Sequence, residues 1–185
     1  MPATAGDTAN VRVWLNGDVR VATVGTTAPT DTSTAWAAGW TKLGLLSEDG
    51  LTTEMESDST DFFAWGGIKV RTVRSKFSRT FKVTALENSD VVYKLVNPGS
   101  TSATATGITT RTVKNPTSDI RAFGFEKSDG AAISRIVVPR GEVTEVAEVK
   151  SSADEMTMYE LTISVYPASD GTQYIEITND AAAAV

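Results

Sequence analysis

The feature that most restricts the fold of this chain is a repeated alternation of apolar and polar residues between turn-forming dipeptides. In residues 157–166, TMYELTISVY, one face is apolar and consists of Tyr159, Leu161, Ile163 and Val165. In residues 76–86, KFSRTFKVTAL, the apolar face consists of Phe77, Phe81, Val83 and Ala85, with Arg79 as a charged member. A period of two is typical of strands with one buried and one solvated face.

Turn dipeptides separate these runs, at Asn16-Gly17, Asp49-Gly50, Asp129-Gly130 and Asp170-Gly171. Asn-Gly favours a two-residue hairpin turn, so we predict a hairpin that joins residues 11–15 to residues 18–24. Further strands are predicted over residues 106–114, 119–127, 133–138, 142–150 and 172–178. This number and spacing of strands predicts a mainly β fold, an antiparallel sandwich or barrel.

One helix is predicted within residues 87–99, ENSDVVYKLVNPG. Asn88 or Ser89 can cap its first turn, and Asn97-Pro98-Gly99 ends it. Its apolar stripe consists of Val91, Val92 and Leu95. A helix this short needs a sheet to dock on. We predict one domain over residues 1–185, with residues 1–9 and 180–185 as flexible ends.

Composition excludes several classes of function. The 185 residues include no cysteine and no histidine, which removes thiolate catalysis, Ser-His triads and most zinc sites. The formal charge of −6 makes free nucleic acid an unfavourable tight partner. The first ten residues resemble no secretory signal, and no apolar run is long enough for a membrane helix. We therefore expect a non-enzymatic protein without cofactor or membrane anchor, made in a cytoplasm.

Clustered carboxylates suggest two chemistries, and neither is supported by its surroundings. A pair of acids can hydrolyse glycosides, but nothing in the sequence brackets a pocket or raises one pKa. Glu56, Asp58 and Asp61 offer closely spaced oxygens to calcium, but the order of an EF-hand loop is absent. Solvated acids are the favoured interpretation of both.

The charge changes sign between residues 48 and 82. The acids include Glu54, Glu56, Asp58 and Asp61, whereas residues 69–82 hold six bases, among them Lys69, Arg71, Arg74 and Lys76. Two interpretations are open. The two groups pair within one hairpin, or they dock one copy of the chain on the next, where complementary charge sets the register.

Between the two charged groups lies an aromatic segment followed by two glycines: Phe62, Phe63, Trp65, Gly66 and Gly67. Three aromatic residues in four do not alternate as a core strand does. Either this segment folds back onto its own core, or it is the tip of a protruding loop that another subunit buries. The acids before it would keep such a loop soluble.

Several segments in order resemble the major tail tube proteins of long-tailed, non-contractile phages, especially those of actinobacteria. They are TTAPTDTST, WTKLGLLSEDGLTTEME, FFAWGG, FKVTALENSDVVYKL, RIVVPRGEVTEVAEV and MYELTISVYPASDGTQY. The resemblance implies a β-sandwich with a flanking helix and a long loop, shared with the tubes of contractile tails and type VI secretion. It also implies hexameric rings that stack around a channel for DNA.

In such proteins the long loop reaches between subunits and rings, and residues 48–67 match its position. The resemblance implies a virion protein that is assembled in the host cytoplasm with tape measure, tail terminator and distal tail proteins. DNA would pass without specific binding, along an acidic lumen whose first candidate residues are Glu142, Glu145 and Glu148. Simple alternation places Glu145 on the opposite side of the strand from the other two.

Other functions compete with this one. A carbohydrate-binding module or adhesin would use Trp14, Trp36, Trp40 and Trp65 as stacking platforms. Another tail ring protein, such as a terminator, has the same sequence signals, and a hydrolase has no catalytic constellation.

Overall fold

A computed structural model describes residues 11–179 of the chain. Within them lie ten strands and one helix: β1 (Asn16–Thr23), β2 (Thr41–Lys42), β3 (Leu46–Phe63), β4 (Lys69–Ala85), α1 (Asp90–Val96), β5 (Thr101–Ala105), β6 (Ile108–Thr112), β7 (Arg121–Asp129), β8 (Ala132–Val146), β9 (Tyr159–Val165) and β10 (Ile175–Thr178). The predicted mainly β class is confirmed.

Strand β8 connects the two halves of one antiparallel sheet, whose order is β2-β1-β7-β8-β9-β4-β3. The first part of β8 pairs with β7 and β10, and its last part pairs with β9. Phe81 of β4 stacks on Phe125 of β7 with ring centroids 5.0 Å apart, although these strands are not neighbours in the sheet. The sheet therefore folds over a shared core, as the predicted sandwich requires.

The bend in β8 passes through Gly141. A Cβ atom at this position would lie 3.0 Å from the Phe123 ring and 3.2 Å from Ile163, so the packed core leaves little room for a side chain. Pro139, two residues earlier, stands at a bulge where Pro139 and Arg140 lie opposite Ala122 alone. A bulge tolerates proline because the ladder hydrogen bond is already missing. The predicted strands at 133–138 and 142–150 are thus one strand, which ends at Val146.

Helix α1 begins and ends close to the predicted residues. The Val92 amide donates to Ser89 Oγ at 3.3 Å, which makes Ser89 the N-cap, and Asn97 is the C-cap. Lys94 and Asp90 form an ion pair of 2.6 Å along its surface. Val92 and Leu95 are buried in the core, so the helix docks on the sheet as expected.

Two of the four predicted turns are wrong. Asn16 and Gly17 lie inside β1, opposite Ser128 and Lys127 of β7, and residues 11–15 form no strand. The long neighbour β7 satisfies this backbone, so no hairpin is needed there. Asp49-Gly50 forms a bulge within β3, with Gly50 at a φ of 70°.

The other two turns are confirmed, at Gly130 (φ 58°) and Gly171 (φ 86°). A further hairpin was missed. The predicted strand at 106–114 is the second half of the separate β5–β6 pair, which turns at Thr106 and Gly107, both with positive φ.

The predicted apolar face of β4 is buried only where β4 pairs with β9, from Thr80 onward. Phe77 is exposed because it lies in the part of β4 that pairs with β3 alone, at a bulge in which Lys76 (φ 53°) and Phe77 lie opposite Ser57. Phe81, which pairs with Ile163 of β9, is completely buried. Arg79 keeps the inward direction and covers the edge of the core, with its guanidinium 4.9 Å from the centroid of the Tyr174 ring.

This difference yields the first prediction. Phe81→Ala should lower the free energy of unfolding by about 3–5 kcal/mol, because it leaves a cavity between the two halves of the sheet. Phe77→Ala, the control in the same strand, should change it by less than about 0.5 kcal/mol. Urea unfolding of the dissociated subunit measures both. Equal losses would contradict the exposed position of Phe77 outside the core.

Candidate assembly site

Strands β3 and β4 continue past the sandwich as a two-stranded ribbon, residues 55–79. Strand β4 pairs with β9 only from Thr80 to Ala85, so the ribbon residues pair only with each other. Residues 48–67, predicted as a long loop, are therefore mostly strand, and only residues 64–68 form the turn. The predicted protrusion is confirmed. The predicted irregular loop is wrong, because pairing between β3 and β4 satisfies the backbone hydrogen bonds of these residues.

The ribbon ends in an aromatic tip, which comprises Phe62, Phe63, Trp65 and Ile68. The turn is closed by the Ala64 amide, which donates to the Ile68 carbonyl at 2.8 Å, and both Gly66 and Gly67 have positive φ. Trp65 is 105% exposed, and its three apolar neighbours are exposed as well. A continuous apolar group at the end of a protrusion is typical of an interaction surface.

Acids and bases pair along the ribbon and at its base. Three ion pairs cross it: Lys69–Asp61 (2.8 Å), Lys76–Asp58 (2.9 Å) and Lys82–Glu54 (3.0 Å). The Lys69 hydrogen bond, followed by that from Thr72, lowers the pKa of Asp61. Such exposed pairs contribute about 0–1 kcal/mol each.

The pairing of Lys69 and Lys76 thus follows the first of the two interpretations, pairing within one hairpin. In the described part of the chain, Arg71, Arg74 and Glu56 form no ion pair. The calcium alternative fails on the same geometry. Asp58 lies opposite Ser75 and Asp61 opposite Thr72, so the two carboxylates point to opposite faces of the ribbon.

A second surface, the acidic face, lies on the outer side of β8, β9, β4 and β3. The cross-strand pairs Glu145–Thr162 and Thr162–Lys82 place these side chains on one face. The hydrogen bond and charge of Glu54, with the charges of Glu160 and Glu145, raise the pKa of Lys82. One lysine therefore lies among three glutamates.

Of the three predicted lumen acids, two share one face of β8 and the third lies outside the strand. A bulge between Val143 and Glu145 places Glu145 on the same face as Glu142, so the expected alternation is wrong there. Glu148 lies beyond the end of β8, in residues 147–158, which form no strand.

Glu142 has a structural role. It accepts hydrogen bonds from Tyr166 Oη at 2.9 Å and from the Asp119 amide at 3.0 Å. The hydrogen bond from Ser118, together with these two, lowers its pKa. This carboxylate therefore ties the chain before β7 to the end of β9.

The tryptophans do not form a common binding platform. Trp36 donates to Glu126 at 2.8 Å and Trp40 to the Thr27 carbonyl at 2.9 Å, and their rings pack against each other over β7. Gly124 leaves space for the Trp36 ring. The partly exposed Trp14 packs under Lys127 Nζ, so Trp65 alone of the four presents a fully exposed ring.

Within residues 11–179, no group of three or more histidine, cysteine, aspartate or glutamate side chains is placed to hold a metal ion. Among the described residues, no helix has the length and apolar character needed to cross a membrane.

Comparison with known proteins gives a family and a fold. The family model described as "Phage tail tube protein" matches residues 4–185. A solved structure of the tube-terminating cap of the anti-feeding prophage is 10% identical, with a TM-score of 0.53 over 97% of this chain and 100% of the other. The sheath–tube complex of the PVC extracellular contractile injection system is 8% identical, with a TM-score of 0.52 over 96% and 99%. No curated protein sequence matches the chain significantly.

The hydrogen bonds of Glu142 predict a pH dependence. Because folding lowers its pKa below the usual 4.5, the stability that it contributes is complete above that pH and is lost as the pH falls through the lower folded value. Glu142→Gln should lower the free energy of unfolding by about 1 kcal/mol at pH 7. The difference in this free energy between the variant and the unmodified chain should shrink in acid. Urea unfolding between pH 7 and 3 measures this. Glu148→Gln, at an exposed site, is the control, and a difference that does not change with pH would contradict the assignment.

Proposed function

Since the chain belongs to the phage tail tube protein family, it is a structural protein of the phage tail, and we propose that its copies form six-membered rings that stack into the tube. The observation that carries this proposal is the ribbon with its aromatic tip. A subunit that exposes Phe62, Phe63 and Trp65 at the end of a rigid arm needs a partner surface to bury them.

The remaining charge on the ribbon supports contact between copies. Lys69 and Lys76 are satisfied within their own hairpin, whereas Arg71 and Arg74 have no ion-pair partner within the described residues. We assign these two arginines to a neighbouring subunit. Each exposed pair adds little affinity, but complementary charge selects the register in which subunits meet.

We assign the acidic face to the lumen. Glu54, Glu145 and Glu160 surround Lys82 there, so the face is net negative. A negative wall repels the phosphates of DNA and lets the duplex slide without binding. Glu142 also faces this side, although its hydrogen bonds indicate a mainly structural role.

The remaining parts of the proposal follow from the sequence resemblance. They are a long-tailed, non-contractile phage, assembly in the host cytoplasm, and contacts with tape measure, tail terminator and distal tail proteins. Electron microscopy of the concentrated, purified protein tests the central claim. Hollow tubes with sixfold rings are expected, and a strictly monomeric protein by light scattering would overturn it.

The tip generates the next prediction. Trp65→Ala should leave the urea midpoint of the dissociated subunit unchanged, because the ring has no intramolecular contact to lose. The yield of tubes should fall at least about tenfold, as expected of an aromatic anchor at an interface. Met156→Ala, which truncates another exposed apolar side chain, is the control and should change neither. If Trp65→Ala unfolds the subunit as Phe81→Ala does, the ring belongs to the core.

The acidic face generates a separate prediction. Tubes carrying Glu145→Lys and Glu160→Lys should form normally but retain short duplex DNA on pelleting at low salt, and release it as salt rises. The control variant, Glu148→Lys with Asp154→Lys, makes the same change of charge in residues 147–158. Equal retention by both variants would show that the acidic face does not line the channel.

A further inference from the structure

A groove of about 340 Å³ opens beside the base of the ribbon, between the start of β1 and the bulge of β3. Its floor is apolar and includes Val19, Val83 and Phe125 of the core. Trp14 and Leu45 form part of its walls, and Leu45 is 68% exposed. Glu48 stands on its rim. The lining of the groove is mixed, because Asp18, Glu126 and Lys127 line it beside the apolar residues, and Glu48 adds a negative charge at its edge.

We propose that this groove receives the aromatic tip of a second copy of the chain, with Trp65 against Leu45 and Trp14 and with Arg71 beside Glu48. The inference rests on the proposed assembly through the ribbon and names the surface that receives it. It assigns to residues 44–51 a role separate from that of the tip.

The length of the ribbon excludes the tip of the same chain. Strand β3 runs from Leu51, which lines the groove, to Phe63 at the tip. Twelve residues of paired strand span about 40 Å. Cross-strand pairing keeps the ribbon extended, so its tip lies far from its own groove and reaches only that of another copy.

Size and polarity also match. A cavity above roughly 300 Å³ accommodates a small ligand, so this groove holds one or two aromatic side chains. The tip supplies aromatic rings that are exposed in the free subunit, and the groove supplies exposed apolar walls. Burying both removes apolar surface from water on each partner, which stabilises the complex.

Charge complementarity favours the same pairing. Around the groove, Asp18 binds Arg20 and Lys42, and Glu126 binds Arg135. Lys127, which also lines the groove, lies 3.7 Å from Glu176 and over the Trp14 ring. Glu48 and Asp49, both exposed, form no ion pair among the described residues. The charge left over at the groove is therefore negative.

Next to the tip, the unpaired charge belongs to Arg71, opposite Phe62, and is positive, and Arg74 adds a second positive charge farther down the ribbon. The positive charge beside the tip and the negative charge at the groove are opposite, which matches a head-to-tail contact between copies. Such a contact closes a ring or continues into a filament.

Charge reversal with rescue tests the pairing. Arg71→Glu alone and Glu48→Lys alone should each lower the yield of tubes at least about tenfold, and the variant with both changes should recover most of it. Arg71→Glu with Asp154→Lys is the matched control and should stay defective. The proposal is supported if Glu48→Lys rescues Arg71→Glu and Asp154→Lys does not. It is overturned if neither second change restores the yield of tubes, or if both restore it equally.

Because the chain has no cysteine, disulfide formation gives an independent measurement. A variant with Ala64→Cys and Ser47→Cys, a lining residue of the groove, keeps Trp65, Leu45 and Glu48. It should give a ladder of oligomers on a non-reducing gel when assembled tubes are oxidised, because a disulfide needs Cα atoms within about 7 Å. Ala64→Cys with Met156→Cys is the control. Tubes that crosslink only in the control, or in neither variant, overturn the groove but leave the proposed function intact. If the unmodified chain forms no tubes, both the groove and the proposed function are overturned.

Discussion

The pairing of β3 with β4 is the interaction on which the assembly surfaces depend. An isolated two-stranded hairpin is marginally stable in water. Here the pairing begins inside the sandwich, where Phe81 and Val83 of β4 are buried and β9 pairs along its other edge. The core therefore anchors one end of the ribbon, and backbone hydrogen bonds carry the register outward to Phe63. Ordering the ribbon in advance lowers the entropy that association would otherwise cost.

The same pairing divides the charge of the ribbon into two parts. Acids and bases that lie close across the strands neutralise each other, as Asp61 and Lys69 do. Of the charges that find no partner in this way, Arg71 lies near the tip and Glu48 near the base, while Arg74 and Glu56 lie between them. The charges of Arg71 and Glu48 are opposite, which suits a contact that joins copies end to end. The negative charge of the acidic face, by contrast, lies on the sandwich and is available to act on DNA.

A bulge explains the difference between the predicted and the observed direction of Glu145. Residue alternation predicted that Glu142 and Glu145 lie on opposite faces, and this prediction failed at one extra residue in β8. Phe77, predicted to point inward, is exposed because the ribbon extends past the sandwich. A bulge moves every later side chain to the other face. The sequence carries little local sign of it, because a bulge depends on the neighbouring strand. The Asp49-Gly50 dipeptide was read as a turn for the same reason.

The sequence alone determined the mainly β class, the cap and end of helix α1, the buried faces of β9 and of the inner part of β4, and the aromatic character of the tip. These features are local, since they depend on side chains two to four residues apart. The tertiary structure decided which strands pair, that residues 48–63 are strand and not loop, and that Trp36 and Trp40 are packed. It also decided which charges remain free. Those outcomes depend on segments far apart in the chain, whose approach is governed by the packing of one shared core.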